Sequence, residues 1–201
     1  NRAETFETAW KVKKALGTCR VVVGGPHASP LAAAILEKES CVDWVIRGEG
    51  EEPLASLARA LSAGTPPPRG ILAAATRIDD LDALPAGLDF NGKMIGIEPR
   101  DQFALVTGSR GCVHACAFCA SPELWGRRVT FRSAASLVRE IAAAREKFGI
   151  TYFHVRDDNF TLRRDRALEF ARLVRATGLK IRFNCQARVD AVDRELLEEL
   201  R

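Results

Sequence analysis

The sequence predicts an α/β fold built in two parts, each a run of parallel strand–helix units. Three observations predict it. Short apolar runs rich in β-branched residues, such as Val21-Val-Val23 and Val42-Asp-Trp-Val-Ile46, alternate with stretches whose apolar residues recur at helical spacing. The early strand runs end in glycine, at Gly24-Gly25 and at Gly48 and Gly50, as strands do where backbone approaches a ligand. Between the two parts, residues 64–100 lose apolar periodicity and open with Gly64-Thr-Pro-Pro-Pro-Arg-Gly70, the composition of a connector.

In the first part, residues 1–63, a helix is expected over Ala3–Leu16, then a buried strand over Arg20–Gly25. Residues 29–38 read as a helix with Pro30 in its first turn, where a missing N–H costs nothing. Val42–Ile46 is the next strand, and a helix runs from Glu51 through Leu61. Strand, helix, strand and helix at this spacing imply a parallel βαβ arrangement with ligands at the strands' carboxyl ends.

The second part, residues 101–201, resumes the alternation. Phe103–Thr107 reads as a strand, and a cysteine-rich loop follows it. Ser133 caps a helix with an apolar stripe of Leu137, Ile141, Ala144 and Phe148, closed by Gly149. Tyr152–Val155 is a second strand tipped by Arg156-Asp-Asp-Asn159, and a helix from Arg163 to Ala176 ends at Gly178. Leu179, Ile181, Phe183 and Cys185 alternate with polar residues in a third strand, and residues 193–201 begin another helix. Three successive βα units with polar tips read as the first half of a barrel-like α/β domain.

Composition narrows the function classes. Of the 201 residues 47% are hydrophobic, enough for a real core, and no run approaches the ~18 uncharged apolar residues of a membrane span. A cytoplasmic setting is expected, where thiols stay reduced and clustered cysteines bind metal more often than they pair. Residues 1–100 hold 12 basic and 13 acidic side chains, whereas residues 101–201 hold 18 and 13. The excess is arginine on helical stretches, Arg163, Arg164 and Arg166 among them, and reads as solvated helix faces. Aromatic residues do not interleave with it, so a nucleic-acid groove is not expected. The chain opens on Asn1, holds one methionine, Met94, and stops at Arg201 inside a helical pattern, which reads as a segment of a longer polypeptide.

The chemistry lies in Gly108-Ser-Arg-Gly-Cys-Val-His-Ala-Cys-Ala-Phe-Cys119, which carries Cys112, Cys116 and Cys119. Three thiolates on one short loop suit a multi-iron centre that leaves one iron open. Zinc held by these cysteines and His114 is hard to close in so short a loop, and a Cys116–Cys119 redox pair leaves Cys112 unexplained. Cys19, Cys41 and Cys185 stand alone and read as small buried hydrophobes.

The Cys-x-x-x-Cys-x-x-Cys spacing at the end of the first strand of a βα repeat, with Phe118 before the third cysteine, resembles the radical S-adenosylmethionine superfamily. The resemblance implies a 4Fe–4S cluster on Cys112, Cys116 and Cys119. The open iron chelates S-adenosylmethionine, and one electron cleaves its sulfonium bond to give a 5′-deoxyadenosyl radical. It further implies Phe118 beside the adenine, with Asp157 and Asp158 where the family often has a glycine-glycine-glutamate tip near the methionyl amine. Gln186 and Arg188 are candidates for the cofactor carboxylate. An electron donor such as flavodoxin or ferredoxin is implied too. Asp157 has a second reading, as a helix cap or a partner of Arg156.

Val21-Val-Val-Gly-Gly-Pro-His27 and Val45-Ile-Arg-Gly-Glu-Gly-Glu-Glu-Pro53 are similar to the end of the cobalamin-binding, Rossmann-like domain that precedes many radical domains. The resemblance implies a cobalamin tail along Gly24, Gly25, Gly48, Glu49 and Gly50. The family's Asp-x-His-x-x-Gly motif for a lower cobalt ligand is absent, and His27 does not substitute for it. The expected whole is the C-terminal part of that domain over 1–63, a linker over 64–100, and the first half of a radical S-adenosylmethionine partial TIM barrel over 101–201. Radical methyl transfer or cyclisation of a small, natural-product-type substrate is the implied activity. Two alternatives stay open: a radical enzyme whose first domain is vestigial, and a zinc-binding or redox-sensing module.

Overall fold

The computed structural model describes residues 2–85 and 102–201. The chain divides into two compact units, Asn1–Ile78 and Asp79–Arg201.

The first unit runs α1 (Arg2–Ala15), β1 (Val22–Val23), α2 (Ala32–Lys38), β2 (Trp44–Arg47), α3 (Glu51–Ser62) and β3 (Gly70–Ala73). Its strands form one parallel sheet in the order β1-β2-β3, with Val22 opposite Trp44 and Val45 opposite Ile71. Phe6 and Ala9 of α1, Ala32 and Ile35 of α2, and Val42 and Val45 make its core. Asp43 ties the layers together, accepting from Lys13 Nζ and the Val21 amide at 2.7 Å each.

Residues 64–100, read as a partly extended connector, contain a sheet strand, β3. The Gly70–Ala73 run pairs along its length with β2. Trp44 Nε1 donates to the Pro68 carbonyl at 3.0 Å and Arg69 Nε to the Val42 carbonyl at 2.8 Å, which aims the chain into the sheet. The later part of the expected connector, 86–100, lies outside the described residues. Strand β1 is shorter than expected, and α2 begins at Ala32 rather than at 29.

The second unit runs β4 (Phe103–Val106), β5 (Ser109–Arg110), α4 (Ser121–Trp125), β6 (Thr130–Phe131), α5 (Ala134–Phe148), β7 (Tyr152–Val155), α6 (Arg164–Ala176), β8 (Arg182–Asn184) and α7 (Arg194–Leu200). Single 3-10 turns occur at Phe160–Leu162 and Val189–Ala191. Strands β4, β7 and β8 form a parallel sheet in the order β4-β7-β8, while β5 and β6 pair antiparallel as a separate ribbon. The sheet buries Ala104, Val106, Phe153 and Val155 against Leu137 and Ile141 of α5 and Phe170 of α6. Phe170 meets Phe160 at 5.4 Å and Phe183 at 5.3 Å, both edge to face. Each such aromatic pair contributes about 1 kcal/mol beyond the area it buries. Helix α5 has the caps its sequence predicts: Ser133 Oγ accepts from the Ser136 amide, and Gly149 closes the far end at φ 71°.

Candidate functional site

The cysteine loop leaves the carboxyl end of β4 and is pinched at its base. Ser109 pairs with Phe131 and Arg110 with Thr130, so residues 111–129 leave and return through one two-strand ribbon. Gly111 sits inside this base at φ +95°, and a Cβ there would lie 2.2 Å from the Arg128 carbonyl oxygen. Glycine is required on both counts, the left-handed backbone and the absent side chain. Along the loop Cys112 is buried, Cys116 half-buried and Cys119 exposed. The Cys119 amide donates to the Cys116 carbonyl at 3.0 Å, turning the chain between these two cysteines. Phe118 is 93% exposed at the tip of that turn.

Donors approach two of the sulfurs. The Ser121 amide is 3.4 Å from Cys119 Sγ, and Arg188 Nη1 is 3.4 Å from Cys116 Sγ. Arg188 is held there by Asp190, at 2.9 Å to Nε and 2.6 Å to Nη2. Among the described residues no three His, Cys, Asp or Glu side chains converge on one metal-sized point. What fits an iron–sulfur centre is the donor set: three soft sulfurs on one loop, with N–H groups placed to support thiolate charge. Cys185 is unlike them. It lies against the core, and burial, aided by the negative charge of Asp157, pushes its thiol up to about 11. Cys41 is buried and Cys19 half-buried.

The tip of β7 grips this loop. Asp157, fully buried, accepts from the Gly108 amide at 2.6 Å and the Ser109 amide at 2.9 Å through Oδ1. Its Oδ2 pairs with Arg166 Nη2 at 3.0 Å. Both oxygens of the carboxylate that the resemblance put near the methionyl amine are therefore engaged by the protein itself. Its expected neighbour Arg156 is not the cation; Arg166 is. Arg166 is 3% exposed, which corrects its reading as a solvated helix residue, whereas Arg163 and Arg164 do face outward in ion pairs. The Arg166 guanidinium also donates to the Arg132 carbonyl at 3.0 Å and lies over Phe131 and Phe160. Gly108 passes so close that a Cβ would fall 2.2 Å from Arg166 Nη2.

Asp158 is exposed, and its Oδ2 accepts from Ser121 Oγ at 2.6 Å. Gln186 is exposed, and its carbonyl accepts from the Phe160 amide at 2.8 Å, closing the end of β8 onto β7. Sequence reasoning placed Arg166 on a solvated helix face and did not single out Ser121. A basic residue one helix in from an acidic strand tip is the signal that could have found the first; nothing local marks the second.

In the first unit the glycine tips are joined by a residue that the sequence reading passed over. Ser29, 4% exposed, donates to the Gly25 carbonyl at 2.9 Å and accepts from the Gly48 amide at 3.0 Å. Gly25 and Gly48 have φ of +93° and +79°, with open space where a Cβ would project, whereas a Cβ on Gly24 would touch the Ile46 carbonyl at 3.5 Å. Gly50 opens α3. Glu49 is buried and accepts from the Ile78 amide at 2.7 Å, so its carboxylate supports the chain leaving β3.

Residues 106–201 match the family model of the Radical SAM superfamily. The match covers the loop, the β7 tip and β8, and supports the S-adenosylmethionine and 4Fe–4S cofactors expected from the three cysteines. An uncharacterized methyltransferase of Pyrococcus horikoshii is 28% identical over 201 residues, spanning 90% of this chain and 42% of the relative. The anaerobic magnesium-protoporphyrin IX monomethyl ester cyclase of Cereibacter sphaeroides is 31% identical over 198 residues, spanning 88% of this chain and 32% of the relative. The chain thus spans well under half of the length of either relative. Among solved structures, the radical S-adenosylmethionine methyltransferase TsrM from Kitasatospora setae superposes with a TM-score of 0.78 at 21% identity, over 98% of this chain and 42% of that one. The two share a mixed α/β fold. No helix among the described residues is long and apolar enough to cross a membrane.

Proposed function

We propose that the protein is a radical S-adenosylmethionine enzyme in which Cys112, Cys116 and Cys119 hold a 4Fe–4S cluster. The observation that carries this reading is a three-cysteine loop at the carboxyl end of β4, in a segment matching the radical family model. When bound, the cluster supplies an electron to S-adenosylmethionine and the radical chemistry follows from the cofactor. The chain's own residues bind and orient. Phe118, free at the loop tip, offers a face to the adenine. Arg188, already beside Cys116 Sγ, offers a guanidinium to a carboxylate, and Gln186 lies on the same connection after β8.

The glycine tips of the first unit would take a cobalamin tail. Gly25 and Gly48 leave their outer faces free of side chains, Ser29 holds the two turns at a fixed spacing, and Gly24 and Gly50 flank them. A structure of TsrM with cobalamin and a 4Fe–4S cluster bound superposes on this chain with a TM-score of 0.73, which supports the reading. The named relatives include methyltransferases and a cyclase. The proposed activity of the whole protein is accordingly radical methyl transfer or cyclisation of a small molecule, fed by a low-potential electron donor such as flavodoxin or ferredoxin.

Anaerobic reconstitution of the full-length protein tests this. About four irons and four sulfides per chain are expected, with S-adenosylmethionine converted to 5′-deoxyadenosine or S-adenosylhomocysteine. Cys116→Ala is expected to lose the cluster. One zinc per chain, or a Cys116→Ala protein with its full iron, overturns the assignment.

A further inference from the structure

The consecutive carboxylates at the tip of β7 hold opposite ends of the cysteine loop. Asp157 binds the amides of Gly108 and Ser109, four and three residues before Cys112; Asp158 binds Ser121, two residues after Cys119. The geometry points to Asp157 and Asp158 as positioning residues that set the separation of the loop's two ends, rather than as contacts of S-adenosylmethionine. This inference rests on the proposed cluster site.

The two grips differ in kind. The Asp157 grip is internal: the aspartate is 0% and Arg166 3% exposed, and Arg166 reaches onward to the Arg132 carbonyl directly after β6. One ion pair thereby fixes both sides of the ribbon, since Gly108 precedes β5 and Arg132 follows β6. The Gly108 carbonyl closes the same corner, accepting from the Arg132 amide at 2.8 Å. A buried pair of this kind is sensitive to loss of either member, because the survivor keeps its charge with no partner. The Asp158 grip is at the surface and acts on Ser121, whose amide is the group 3.4 Å from Cys119 Sγ. Shifting Asp158 therefore shifts the residue that supports the third sulfur. Neither role requires a carboxylate oxygen to touch a cofactor.

A double-mutant cycle on the reconstituted full-length protein tests the Asp158 grip. Wild-type protein that takes up no iron would remove the cluster reading itself, and is distinct from every outcome below. Ser121→Ala and Asp158→Ala are each expected to keep wild-type iron per chain. Each should raise the KM for S-adenosylmethionine, and weaken the cofactor-induced change in the electron paramagnetic resonance spectrum of the reduced cluster, by about three- to tenfold. The double variant should be no worse than either single one, because both remove the same bond. Asp158→Asn, which keeps an acceptor oxygen, should restore binding. If Asp158→Ala loses cofactor binding while Ser121→Ala behaves as wild type, Asp158 touches the cofactor directly and its positioning role is overturned.

For the buried grip, Asp157→Asn is expected to reduce iron retention at least tenfold while S-adenosylmethionine is absent, a condition in which a cofactor contact has no effect. Should that variant fail to fold, Gly108→Ala addresses the same contact, since its methyl group displaces Arg166 from the carboxylate. A folded Asp157→Asn or Gly108→Ala protein with wild-type iron and a wild-type spectrum overturns this half of the inference.

Discussion

Gly111→Ala separates the two reasons for glycine in the cysteine loop. The φ of +95° alone costs an alanine about 1–2 kcal/mol. The new Cβ would also stand 2.2 Å from the Arg128 carbonyl oxygen and 3.2 Å from Trp125 Cβ, well inside contact distance. The carbonyl belongs to backbone just before Thr130, which is paired with Arg110, so relief requires opening a ribbon of two residue pairs. Breaking a hydrogen bond there adds about 1–2 kcal/mol, for a total of roughly 2–4 kcal/mol. Gly149→Ala is the control: at φ +71° and ψ 11° it is left-handed but nothing lies within 4 Å, so only the backbone cost applies. Both variants would be compared by iron per chain after anaerobic reconstitution and by thermal midpoint without iron. Gly149→Ala should keep the cluster with a small drop in midpoint. Gly111→Ala should lose most of its iron and drop further, by roughly 5 °C or more. Equal iron and equal midpoints in the two proteins would refute the claim that steric closure at the loop base, beyond backbone handedness, places the cysteines.

Ser29→Ala should destabilise the first unit by about 1–2 kcal/mol, because the Gly48 amide loses its acceptor and the two glycine turns lose their spacer. Denaturant unfolding followed through the fluorescence of buried Trp44 measures it, and cobalamin retention by the full-length protein should fall in parallel. A pH effect is expected at Asp43. Burial alone would raise its carboxyl, but hydrogen bonds from Lys13, the Val21 amide and Arg20 hold it below the usual range. The unfolded chain therefore binds this proton first as pH falls, so the stabilisation is complete above the ordinary carboxylate range of about 4 and fades below it. The stability gap between wild type and Asp43→Asn should narrow from pH 6 to pH 3; a constant gap would assign the effect elsewhere.

Regular elements with their own apolar period were legible in the sequence. Helix α5 announced itself through the Ser133 cap, the Leu137–Ile141–Ala144 stripe and Gly149, all of which are local signals. Strands β2, β4 and β7 were equally clear. Strand β3 was not, because a Gly-Ile-Leu-Ala run after three prolines carries no period and becomes a strand only by pairing with β2. The β5–β6 ribbon is two residues deep and depends on a return of the chain some 20 residues later, which no local pattern records. Helix α2 starts at Ala32, later than expected, and Ser29 lies ahead of it with its hydroxyl bonded to the Gly25 carbonyl and the Gly48 amide. At the site, the spacing of the three cysteines on one loop is the local signal on which the cluster proposal rests. The role of Asp157 was not legible, since it is decided by Arg166, which sequence treats as one more arginine on a charged helix.

The reach of the Asp157 grip has a consequence for biosynthesis. Gly108 and its carboxylate are 49 residues apart in the chain. At roughly 5–20 residues per second, the cysteine loop leaves the ribosome some 2–10 s before Asp157, and Arg166 follows later still. For that interval Cys112 has no folded scaffold around it and is as open to oxidants as Cys119. An iron–sulfur carrier arriving during synthesis would meet loose thiols; one arriving after α6 has docked would meet the loop in its final shape. Helix α6 thus completes the scaffold of the cysteine loop through Arg166, although none of the three cysteines lies on it.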